Sequence, residues 1–177
     1  MTLASKITMV RVAFIPLLMA FLYLSGGEQG LFMILSLALF IIASLTDFVD
    51  GEIARKKNQI TDFGKFLDPH ADKLLVIAAL VMFCQWGRFP AWALMIVLAR
   101  EFAVTGLRLI AVGKGTVIAA GWSGKVKTAS TMVGLCVWMA FPGSAIVAWV
   151  VTIVIVITTV WSGIEYFMQN WNCLWKD

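Results

Sequence analysis

Residues 47–72 read DFVDGEIARKKNQITDFGKFLDPHAD. Four aspartates keep a regular spacing within this stretch: Asp47 and Asp50 are three residues apart, and Asp68 and Asp72 are four apart. Either separation puts two side chains on one face of a helix. The stretch joins two apolar runs, and a carboxylate beside hydrocarbon is costly unless it is paired or binds a metal. If the two helices lie side by side and antiparallel, the four carboxylates converge. Like charges that close oppose each other's ionisation unless a cation neutralises them. Carboxylate oxygens suit Mg²⁺, Mn²⁺ or Ca²⁺ better than zinc. Four of them could hold two metals roughly 3.5–4 Å apart, the arrangement used for displacement at phosphorus. Gly51 and Ala54 carry almost no side chain, so a ligand or a partner helix can approach the backbone there. Arg55 adds a planar cationic fork matched to phosphate. Glu52, Lys56, Lys57 and Asp62 fit a solvated connection.

The rest of the chain is far more apolar than a soluble domain. Of its 177 residues 61% are hydrophobic and only 14% charged, against roughly 45–50% and about 25% in soluble proteins; mean hydropathy is +0.91. A single all-α integral membrane domain over residues 1–177 is expected, without a nucleic-acid partner. Cys84, Cys136 and Cys173 are odd in number and share no metal-ligand spacing, so no disulfide framework is expected. The first apolar segment is expected to stay in the protein, because Arg11 interrupts it and no small-residue cleavage pattern follows.

Six segments are apolar enough to cross a bilayer, which needs about 20 residues per helix. They run over about 7–24, 31–54, 69–86, 91–112, 123–141 and 144–168, the third opening on Pro69, a good first-turn residue. Gly26-Gly27, Gly87 with Pro90, Gly113 with Gly115, and Pro142-Gly143 separate them. The connections after the first, third and fifth segments hold one cation, Arg88. The opposite side holds Lys6, Arg55, Lys56, Lys57, Lys65, Lys114, Lys125, Lys127 and Lys176. Positive charge marks the cytoplasmic side, so both termini and the aspartates are expected there.

Ionisable groups inside apolar runs need partners. Arg100 and Glu101 lie mid-segment, and Arg108 follows Arg100 by eight residues, about two turns, so both can face one cavity. Lys125 and Lys127 open the fifth segment; Thr8 and Arg11 share a face in the first. Snorkelling would account for Lys6, Arg11 and Lys127, and an internal Arg100–Glu101 pair for those two. The functional alternative is a pocket of Arg108 and Lys125, with Arg100 and Lys127, that takes an anionic acceptor such as a phosphate ester.

The pattern Asp47-xx-Asp50-Gly51-xx-Ala54-Arg55, eight further residues, Gly64-xxx-Asp68-xxx-Asp72 resembles the signature of the CDP-alcohol phosphatidyltransferase family at all eight positions. Residues 8–16 (TMVRVAFIP), 100–115 (REFAVTGLRLIAVGKG), 124–128 (GKVKT) and 162–167 (SGIEYF) extend the likeness to the branch that makes phosphatidylglycerophosphate in bacteria. An Asn-x-Pro-Asn type stretch common near the start of that branch is replaced here by Thr2-Leu3-Ala4-Ser5. The resemblance implies a membrane enzyme, commonly a homodimer, that moves a phosphatidyl group from CDP-diacylglycerol to glycerol 3-phosphate. It further implies two divalent cations, Mg²⁺ or Mn²⁺, on Asp47, Asp50, Asp68 and Asp72, with Asp72 as general base. Thr8, Gly51, Ala54, Arg55, Thr61 and Gly64 would serve the CDP-lipid, and Arg100, Arg108, Lys125 and Lys127 the acceptor phosphate. An inositol phosphate acceptor would explain the same cations. A divalent-cation transporter would spread its acids through the membrane depth, whereas here they cluster at one end.

Overall fold

The computed structural model describes the backbone of residues 3–57, 62–113 and 121–175, and the side chains of residues 12–46, 73–113 and 121–171. Six helices make up the regular structure, with no strand among the described residues. They are α1 (Leu3–Ser25), α2 (Leu31–Lys57), α3 (Asp62–Gln85), α4 (Ala91–Gly113), α5 (Trp122–Ala140) and α6 (Ala145–Trp175). Glycines in the left-handed region end α1 and α3: Gly26 at φ 61°, Gly27 at φ 81° and Gly87 at φ 68°. Only glycine adopts that conformation without a Cβ penalty.

One boundary differs from expectation. The third helix does not open at Pro69; it begins at Asp62, and Pro69 lies inside it. Proline there removes one backbone donor without ending the helix, as Pro16 does inside α1. Such interruptions are tolerated where neighbouring groups in an apolar setting satisfy the freed carbonyl. The earlier start brings Asp68 into the same helix as Asp72.

α1 packs against α2 and α3, α5 against α6, α4 against α6, and α2 reaches α5. Leu18, Leu22, Met33, Phe40 and Leu80 fill the core between them. The ring of Phe83 on α3 stacks on that of Trp138 on α5, with centroids 4.4 Å apart, and Phe89 meets the same indole edge-on at 6.1 Å. A Cβ on Gly134 would lie 2.9 Å from Val151 Cγ1, so a larger residue there would force the Val151 side chain or the α5–α6 packing to shift.

Arg88 fastens one end of the bundle. Its Nη1 donates to the carbonyl of Gly27 and, at 2.8 Å, to that of Pro142, while Nη2 donates to Glu28 Oε1 at 2.9 Å. Those acceptors lie in the α1–α2 and α5–α6 connections, so three connections meet at this end.

The outer surface is apolar. Ile146, Phe102 and Trp122 are about three-quarters exposed, which suits hydrocarbon rather than water. Among the described residues one helix, over Ala145–Trp171, is long and apolar enough to cross a membrane, and only 33% of its apolar stretch is buried. A core helix of a soluble protein would be mostly covered.

Candidate active site

α2, α3, α4 and α5 line a cavity of about 520 Å³. It lies toward the end away from Arg88: Arg108, on its wall, stands 17 residues into α4, roughly 25 Å from the helix start. Ser44 lines it three residues before Asp47, and Lys73 lines it immediately after Asp72. The two helices that carry the aspartates therefore meet at this cavity.

Five cations reach the wall: Lys73 from α3, Arg100 and Arg108 from α4, and Lys125 and Lys127 from α5. Glu101 is the one acid among the described lining residues. Its Oε1 accepts from Lys127 Nζ at 2.6 Å and from Arg100 Nη1 at 3.1 Å. Its Oε2 pairs with Lys73 Nζ at 3.0 Å, and that ammonium also donates to Thr105 Oγ1 at 3.0 Å. One carboxylate thus ties three helices through three cations. Arg100 runs beside two glycines: a Cβ on Gly124 would lie 3.5 Å from its Nη2, and one on Gly163 3.4 Å from its Cγ.

Two cations differ. Arg108 donates from Nε to Tyr166 Oη at 3.0 Å, and its guanidinium sits 5.5 Å from that ring. Lys125 is exposed. Among the described residues neither has a carboxylate partner. Arg100 Nε and Ser44 Oγ are buried without a hydrogen-bond partner, and both residues line the cavity. Unpaired donors in a wall that also carries Val76, Val97, Val104 and Met132 bind an anion more strongly than they would in water.

The sequence-predicted cations Arg100, Arg108, Lys125 and Lys127 all come together on this wall. Lys127 does not snorkel: only 5% exposed, it is buried against Glu101 because the carboxylate offers a shorter route to charge balance than the headgroups. The Arg100–Glu101 pair exists, and Glu101 serves Lys73 and Lys127 as well. Lys73 was missed; its signal was a lysine directly after the last motif aspartate, at the mouth of an apolar run. Asp47, Asp50, Gly51, Ala54 and Arg55 fall in the last turns of α2, Gly64, Asp68 and Asp72 in α3, and Thr8 in α1. Their side chains, and Thr61 altogether, lie outside the described residues. The helical backbone required by the spacing is present at both aspartate pairs, and four carboxylates are a donor set suited to hard divalent cations.

A family model described as CDP-alcohol phosphatidyltransferase matches residues 1–161. The chain is 43% identical to the CDP-diacylglycerol–glycerol-3-phosphate 3-phosphatidyltransferase of Bacillus subtilis, over 97% of this chain and 96% of the relative. It is 37% identical to the Salmonella choleraesuis protein of the same name, over 90% of each. A probable phosphatidylglycerophosphate synthase of Mycobacterium tuberculosis is 36% identical, over 93% of this chain and 79% of the relative.

Proposed function

The chain belongs to the CDP-alcohol phosphatidyltransferase family, and we propose that it transfers a phosphatidyl group from CDP-diacylglycerol to sn-glycerol 3-phosphate, giving phosphatidylglycerophosphate and CMP. One observation carries the choice of acceptor: cations from three helices converge on a cavity beside the aspartate-bearing segments, and two of them have no carboxylate partner among the described residues. The names of its relatives point to the same acceptor.

Arg108 and Lys125 hold the acceptor's phosphate, with Lys73, Arg100 and Lys127 supporting it from the Glu101 network. Anchoring the phosphate fixes the far end of a three-carbon chain and presents its primary hydroxyl toward the motif. Such positioning converts a two-body encounter into an intramolecular one. Asp72 accepts the hydroxyl proton, the hydroxyl oxygen bonds to the phosphorus that carries diacylglycerol, and the bond from that phosphorus to CMP breaks. Thr8, Gly51, Ala54, Arg55, Thr61 and Gly64 receive the CDP-lipid. Two divalent cations, Mg²⁺ or Mn²⁺, held by Asp47, Asp50, Asp68 and Asp72, would supply charge stabilisation at the pyrophosphate when bound. The six helices are read as six spans of one domain in the cell membrane, with both termini and the cavity on the cytoplasmic side, and the protein as a homodimer. The site then serves a lipid substrate and a water-soluble one.

The test is CMP release from CDP-diacylglycerol by the purified protein, with and without glycerol 3-phosphate and divalent metal. Release is expected only when both are present; release with inositol phosphate or serine in place of glycerol 3-phosphate would overturn the acceptor. Asp72→Asn is expected to lower turnover at least about a thousandfold while the protein stays folded; wild-type turnover would remove Asp72 from the role of base.

A further inference from the structure

The two arginines of α4 on the cavity wall are held in opposite ways. Arg100 is bonded to a carboxylate, Glu101, at 3.1 Å. Arg108 is bonded to a neutral phenol, Tyr166, through Nε at 3.0 Å. A carboxylate cancels charge as it orients; a phenol oxygen orients and leaves the full charge for a ligand. The choice of Nε matters as well. A guanidinium has five N–H donors, one on Nε and four on the terminal nitrogens. Spending Nε leaves the terminal pair, which binds two phosphate oxygens at once.

Tyr166 is itself fixed. It is 5% exposed and packs with Val104 and Leu107 of α4, which precede Arg108 by one turn and by one residue. Its hydroxyl accepts from Arg108, which lines the cavity, while Tyr166 itself does not. α6 meets the site through a single face: Gly163 lies alongside Arg100 and Tyr166 bonds Arg108, three residues apart. This also gives a task to residues 162–167, which contribute no lining residue to the cavity.

We infer that Tyr166 is a positioning residue for the acceptor: its hydroxyl takes the Nε hydrogen of Arg108 and holds the terminal nitrogens of the guanidinium toward a phosphate in the cavity. The inference rests on the reading of that cavity as the acceptor-phosphate site.

Steady-state CMP release tests it on the full-length protein, with glycerol 3-phosphate varied at saturating CDP-diacylglycerol and the reverse. Tyr166→Phe keeps the ring and removes one oxygen. It is expected to raise the KM for glycerol 3-phosphate about tenfold, with kcat and the KM for CDP-diacylglycerol within about twofold. In an Arg108→Lys background, which has no Nε–H, the same change is expected to add less than about twofold. An equal further rise in that background would mean that Tyr166 acts independently of Arg108 and would overturn the inference. So would an unchanged acceptor KM in Tyr166→Phe beside a raised one in Arg108→Ala, an outcome that leaves the reading of the cavity standing. An unchanged acceptor KM in Arg108→Ala removes the cavity reading and the inference together.

Discussion

The two ends of this helix bundle each use one charged group to tie three elements, Arg88 half-buried and Glu101 buried, but they differ in how charge is balanced among the described residues. At the connection end Arg88 meets the carbonyls of Gly27 and Pro142 and the carboxylate of Glu28. The cavity beside it, about 310 Å³, has Arg88 as its one charged lining residue among those described, and that guanidinium is already engaged. At the other end Glu101 meets Lys73, Arg100 and Lys127, and Arg108 and Lys125 have no carboxylate partner among the described residues. A structural charge is matched to its partners. Among the described residues the cations of this cavity outnumber their carboxylate; such cations repel one another, and an arrangement of that kind is stabilised when an anion enters.

Three substitutions sharpen that contrast. The largest effect is expected for Glu101→Gln, which leaves three cations facing one another, one of them nearly fully buried. Removing one partner of a buried ionic network costs about 3–5 kcal/mol, so a steep fall in thermal stability in detergent is expected; an unchanged midpoint would show that the network is not a structural tie. Arg88→Met is next. It strands two buried carbonyls, at a cost of about 2–3 kcal/mol, yet should leave the KM for glycerol 3-phosphate within about twofold. A raised acceptor KM would break the separation between the two ends. Glu28→Ala should matter least, because Glu28 is 76% exposed and an exposed ion pair contributes about 0–1 kcal/mol. A loss equal to that of Arg88→Met would mean that the pair, not the two carbonyls, fastens this end.

The same contrast marks how far the sequence could be read. Apolar runs and their glycine breakers placed all six helices, since hydropathy and left-handed glycines are local properties. Pro69 misled because a helix end was inferred from a residue that an apolar helix tolerates in its interior. Four of the five cavity cations, all but Lys73, were legible because charge inside an apolar run is costly wherever the run packs. Beyond the adjacent Arg100–Glu101 pair their partners were not: Glu101 takes Lys127, 26 residues away, and Lys73 from another helix, and such pairings depend on packing. Arg88 counted in the sequence only as a loop cation, because its acceptors lie 61 and 54 residues distant. Tyr166 had no signal at all beyond its place in a recognisable segment, since a phenol on an apolar helix is usually core.

The most direct measurement is the KM for glycerol 3-phosphate of the Arg108→Ala/Lys125→Ala double variant, taken at saturating CDP-diacylglycerol. A rise of at least about a hundredfold is expected, with the KM for CDP-diacylglycerol within about threefold. An acceptor KM equal to that of the unmodified protein would contradict the assignment of this cavity to the acceptor phosphate.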